Sequence, residues 1–177
     1  MRPALLLILA PALLAAAPAK KPAPRPAAIT SAYTKLDLAK CTTIHESDEA
    51  GLSATWKCPG YAGIPLFVEL GDERFDLDAG QLDHDGLWSD TFDNPPTTVE
   101  WRLKGGKPFA IIYRLSVANP DAPKSSRLKV ETIGDLKDPA KFGCRIADIE
   151  ANDPNANATA RDLADLIPKG EATCIES

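Results

Sequence analysis

Nine acids face a single base in one short stretch: Glu69, Asp72, Glu73, Asp76, Asp78, Asp83, Asp85, Asp90 and Asp93 against Arg74. Carboxylates so closely spaced are the hard oxygen ligands that calcium takes. An EF-hand register fails, because setting Gly86 at the sixth loop position puts Gln81 at the first and Phe92 at the twelfth, which removes the entry acid and the bidentate Glu. A calcium loop of another kind, built from Asp76, Asp78, Asp83 and Asp85, is the metal reading of this stretch. A solvated acidic hairpin is the competing and simpler one. Hydrolysis by a carboxylate pair is the catalytic alternative, but a surplus of acids makes pairs easy to find by chance.

A second constellation is Glu100, Arg102 and Arg114. Two guanidiniums on one polar face can hold a carboxylate bidentately, which suits a ligand or partner surface. Trp88, in Asp85-Gly-Leu-Trp-Ser-Asp90, is an aromatic in a polar loop and fits an interaction anchor beside that face. Catalytic signatures are missing: the chain has no Gly-x-Ser-x-Gly elbow, no His-Glu-x-x-His helix, no P-loop and no Gly-x-Gly-x-x-Gly fingerprint. The residues therefore favour a non-catalytic protein.

The elements that must position these groups are short strands. Val99, Trp101 and Leu103 alternate with Glu100 and Arg102; Phe109, Ile111, Tyr113 and Leu115 alternate next, and Leu128 and Val130 follow. Lys104-Gly-Gly-Lys107 offers the glycines of a tight hairpin between the first two. Earlier strands are expected over 64–70 and 74–78, joined at Gly71-Asp72. One helix is expected from the cap Asp153 with Pro154 at its first position; Ala156, Ala160, Leu163, Ala164 and Ile167 form its apolar stripe, and Pro168 with Gly170 ends it. The fold class is α+β: a twisted antiparallel sheet of about five to seven strands with a C-terminal helix packed on it.

The 177 residues include 20 Lys+Arg and 25 Asp+Glu. Residues 1–19, with Arg2 followed by an apolar run from Ala4 to Ala17, read as a secretory signal peptide, and the run is too short to span a bilayer. Residues 20–28 alternate Pro with Ala and basic residues and read as an extended linker. These first 28 residues hold Arg2, Lys20, Lys21 and Arg25 and no acid, so the domain expected over 29–177 keeps 16 bases against 25 acids. That balance argues against nucleic acid as a partner and leaves no transmembrane segment after signal cleavage. The expected location is the periplasm or the extracellular space, and the expected partner an envelope or extracellular protein or a small ligand.

Cys41, Cys58, Cys144 and Cys174 all lie in the exported part, without a Cys-x-x-Cys pair. An even count after an export signal argues for two disulfides rather than a zinc or redox site. Three connectivities are possible; the sequence-local one, Cys41 with Cys58 and Cys144 with Cys174, closes one supersecondary unit each.

The chain resembles a group of small exported alphaproteobacterial proteins of uncharacterised activity. The likeness is carried by Cys58-Pro-Gly-Tyr61 with Gly63 and Pro65, Gly71-Asp72-x-Arg74, Glu100-Trp-Arg102, Pro108-Phe-Ala110 with Ile112 and Arg114, then Cys144, Asn155-Ala-Asn157, Ala160-Arg161, Ala164-Asp165 and Cys174. It implies export, paired cysteines and a single domain, and it transfers no site. Where that group has a histidine after its third Cys, this chain has Arg145, which weakens an acid-base or metal role there.

Overall fold

A computed structural model describes residues 26–47, 53–83, 92–118 and 125–175. The expected signal segment, most of the linker, and His84, Asp85 and Trp88 lie outside the described residues. Ten strands and a helix follow in chain order: β1 (Ile29–Lys35), β2 (Thr42–Glu46), β3 (Ser53–Cys58), β4 (Leu66–Gly71), β5 (Arg74–Ala79), β6 (Asp93–Asn94), β7 (Thr98–Lys104), β8 (Lys107–Val117), β9 (Ser126–Thr132), β10 (Arg145–Glu150) and α1 (Ala156–Ala164).

Antiparallel pairing divides the strands between two sheets. One runs β1-β7-β8-β9-β10, with β6 pairing the far end of β8; the other runs β2-β3-β4-β5. The β7–β8 hairpin turns where the glycines predict, with Gly105 at φ 59° and Gly106 at φ 81°. Two successive left-handed residues make the turn whose twist matches that of the strands.

The six-stranded sheet has two buried faces. Val99, Trp101, Leu103, Ile111, Tyr113 and Leu115 point to one side and pack with Leu66, Val68, Leu77 and Ala79 of the four-stranded sheet. Trp101 is fully buried there. A β-carbon on Gly60 would lie 2.2 Å from the Ile64 carbonyl and 3.0 Å from the Trp101 ring, so glycine is what lets the Cys58-Pro-Gly turn lie against that indole. On the other side Ala110, Ile112, Leu128, Val130 and Ala147 meet Ala156, Ala160 and Ala164 of the helix. Alanine at every fourth position lets the helix axis sit close to the strands.

Two local expectations are corrected. Phe109 does not share the Tyr113 stripe: the β7–β8 register slips between Arg102 and Leu103, and Phe109 packs on the helix side instead. The helix begins at Ala156, not at Pro154. Asp153 caps a turn ahead of it, its carboxylate accepting the Asn155 amide at 2.7 Å and its carbonyl accepting the Ala156 amide at 3.0 Å. The helix also ends sooner, at Ala164; Ile167 and Pro168 belong to a separate 3-10 turn over Ile167–Lys169, which Gly170 closes in the left-handed region.

The disulfides are Cys41–Cys58 and Cys144–Cys174, as the sequence-local pairing predicts. They span 17 and 30 residues of chain. The second ties the entry of β10 to the segment returning from the helix, where the Ile175 amide donates to the Arg145 carbonyl at 2.7 Å. Cys144→Ala with Cys174→Ala is expected to lower stability by about 3 to 4 kcal/mol, the loop-closure value, read as a fall in the urea midpoint. A change under about 1 kcal/mol would mean that the helix docks without its staple.

Candidate functional site

Strand alternation puts Glu100, Arg102 and Arg114 on the face of the six-stranded sheet opposite Trp101 and Tyr113, as expected. That face is not open to solvent, because α1 lies across it: Glu100 and Arg102 are each 8% exposed. Arg102 donates to both carboxylate oxygens of Asp165, at 2.9 and 2.6 Å, and to the Ser31 hydroxyl at 2.5 Å. Ser31 in turn donates to Glu100 Oε1 at 2.5 Å, and Arg161 donates to the two Glu100 oxygens at 2.7 and 3.0 Å. Positions i and i+2 on β7 thus pair with i and i+4 on α1, with charges crossed. Burial alone would raise the Glu100 pKa; the hydrogen bonds from Arg161 and Ser31 and the charges of Arg161 and Arg102 outweigh it and hold the carboxyl below its usual range. Glu100 and Arg102 are consumed in holding the helix.

Arg114 is arranged differently. Its Nη1 donates to the Ser126 hydroxyl at 2.9 Å and to the Ala151 carbonyl at 3.4 Å, and among the described residues no carboxylate pairs with it. The guanidinium stands between two adjoining cavities. One, of about 190 Å³, is lined by Tyr33, Thr98, Glu100, Ile112 and Asn157. The other, of about 450 Å³, is lined by Asn94, Pro95, Thr97, Thr98 and Ser116, where the chain passes from β6 to β7. Of the three arginines on the helix side, Arg102 is paired with Asp165 and Arg161 with Glu100, which leaves Arg114 as the one without a carboxylate among the described residues.

The acidic stretch forms a second, buried cluster. Asp76 and Asp78 alternate with Leu77 along β5 and are 4% and 3% exposed. Asp76 accepts from Arg145 and, at 2.8 Å, from the Tyr113 hydroxyl. Glu131 on β9 accepts from Arg145 Nε and Nη2 at 2.8 and 2.7 Å, and its Oε1 lies 2.7 Å from the Tyr113 hydroxyl, whose single proton serves Asp76 or Glu131 at a time. Arg145 is the internal cation of this cluster, a role that a reading of the position as a lost histidine misses. An isolated arginine in a sequence gives no sign that two acids from different strands will converge on it. Lys129, also buried, is bonded to Asp148 of β10.

Among the sequence candidates, Asp76, Asp78 and Asp83 come together: the Asp83 amide donates to Asp78 Oδ2 at 3.4 Å. Among the described residues no group of three or more His, Cys, Asp or Glu is arranged to hold a metal ion. Asp85 and Trp88 lie outside those residues. His45 is on β2, whose five residues are all exposed, in the four-stranded sheet and not on the helix-covered face. Among the described residues no helix is long and apolar enough to cross a membrane. The chain matches no protein-family model, no curated protein and no solved structure.

Proposed function

We propose that the chain is an exported, non-catalytic binding module of the periplasm or extracellular space, and that it takes the carboxylate of an envelope or extracellular protein or of a small ligand at Arg114. The observation that carries this reading is that Arg114 lines two cavities and has no carboxylate partner among the described residues, while its neighbours Arg102 and Arg161 are neutralised. Tyr33 and Asn157 supply polar groups at the smaller cavity, and Ile112 supplies an apolar wall. Glu100, the carboxylate lining that cavity, is committed to Ser31 and Arg161 and is poorly placed to act as a base. Two disulfides and the amino-terminal apolar run accord with export.

The test uses N-acetyl dipeptides ending in a free carboxylate, compared with the same peptides as amides, titrated by calorimetry. The free acids are expected to bind and the amides to bind at least about tenfold more weakly, since a charge-assisted pair contributes roughly 1.5 to 3 kcal/mol. Arg114→Ala is expected to abolish the difference while costing about 1 kcal/mol of stability, the worth of its bonds to Ser126 and Ala151. Unchanged binding in that variant would remove Arg114 from the site.

A further inference from the structure

Among the described residues no cation pairs with the Asp78 carboxyl. It is 3% exposed, its hydrogen bond is from the Asp83 amide, and the Arg145 guanidinium of the cluster is engaged by Asp76 and Glu131. The charged groups acting on it are Glu131 on β9, Asp83 in the following segment and Asp76 on its own strand; Tyr113 of β8 and Arg145 of β10 reach the cluster through Asp76, and Glu69 of β4 is opposite Asp76 in register. Lys129 does not offset them, because Asp148 holds it. A buried ionised carboxylate so placed is costly, and the usual escape is to bind a proton.

We propose that Asp78 and Glu131, packed with Asp76 in one buried cluster, form a proton-binding latch: they keep a proton through neutral pH, this joins the β5 edge of the four-stranded sheet to β8, β9 and β10 of the other, and losing it in alkali loosens that junction. Burial and then the charges of Glu131, Asp83 and Asp76 push Asp78 up to about 10. Burial and the Asp76 charge, partly offset by Arg145, raise Glu131 to about 8. Asp78 and Glu131 share their protons and titrate as a set.

The direction of the pH effect follows. A carboxyl whose folded pKa lies above its unfolded value contributes stability that is complete below about pH 4 and is lost as pH rises through the folded value. From pH 6 to pH 9 the folding equilibrium constant is expected to fall at least about tenfold, up to roughly tenfold per pH unit for each proton held. Asp78→Asn, which is neutral at every pH, is expected to remove the Asp78 share of this limb and leave that of Glu131, so that the fall from pH 6 to pH 9 shrinks by at least about threefold. A second readout needs no variant: unfolding of the native chain at pH 7.5, followed by calorimetry in buffers of different ionisation enthalpy, is expected to release about one proton. A stability curve level from pH 6 to pH 9, an unchanged slope in Asp78→Asn, or unfolding without proton release would each overturn the latch. So would millimolar calcium that raises the melting temperature and removes the pH dependence, since the cluster would then hold a cation instead of a proton.

Discussion

Arg145→Met is expected to destabilise the protein by about 3 to 5 kcal/mol, the cost of removing one partner from a buried ion pair. The arginine side chain is 3% exposed and faces Asp76 and Glu131, whose own side chains are 6% and 5% exposed. Methionine fills comparable volume, so little of the loss comes from a cavity. The damage is electrostatic: carboxyls that shared one guanidinium must take up protons or repel. The penalty is therefore expected to grow as pH rises from 6 to 9, when those protons become harder to hold. Urea denaturation at both pH values measures it. A loss below about 1 kcal/mol would show that the acids are neutral without Arg145, and a loss independent of pH would show that packing dominates.

The second large effect is at the helix. Arg102→Ala is expected to cost about 2 to 4 kcal/mol, because the arginine is 9% exposed and its Asp165 partner only 23% exposed, so both ends of a bidentate pair are largely desolvated. Arg161→Ala removes a basic partner that is 40% exposed and leaves the buried Glu100 with Ser31 and Arg102, so it is expected to cost less, about 1 to 2 kcal/mol. The two variants have similar chemistry and differ in burial. Equal losses would mean that the network acts as one unit through Ser31, which a double-mutant cycle between positions 102 and 161 reads directly.

Much of this architecture is legible in the sequence because its signals are local. The alternation of Val99, Trp101 and Leu103, the Gly105-Gly106 turn and the pairing of four cysteines each depend on neighbours in the chain or on counting. Other features depend on distant partners. Glu100 and Arg102 look like residues of a solvated face because strand alternation says only that they oppose Trp101; it does not say that a helix some sixty residues later covers them. A usable signal existed, since Arg161 and Asp165 stand four apart beside the alanine stripe of the helix and complement Glu100 and Arg102 in sign. Arg145 carried no such signal. Its importance comes from three strands and a tyrosine meeting around it, and the acids it answers lie 14 and 69 residues away. Asp153 misleads for the opposite reason: Asp followed by Pro matches a helix start, and the same residues close a turn one step earlier.

The central claim is that, of the three arginines on the helix side, Arg114 receives the ligand and Arg102 and Arg161 hold the helix. Side-chain Nε–Hε signals of the three, followed by proton–nitrogen NMR during titration with an N-acetyl dipeptide free acid, test it most directly. The account predicts that the Arg114 signal moves with saturation while those of Arg102 and Arg161 stay in place, and that the peptide amide moves none of them. Movement of the Arg102 or Arg161 signal with Arg114 unmoved, or no movement of any under the free acid, would contradict it.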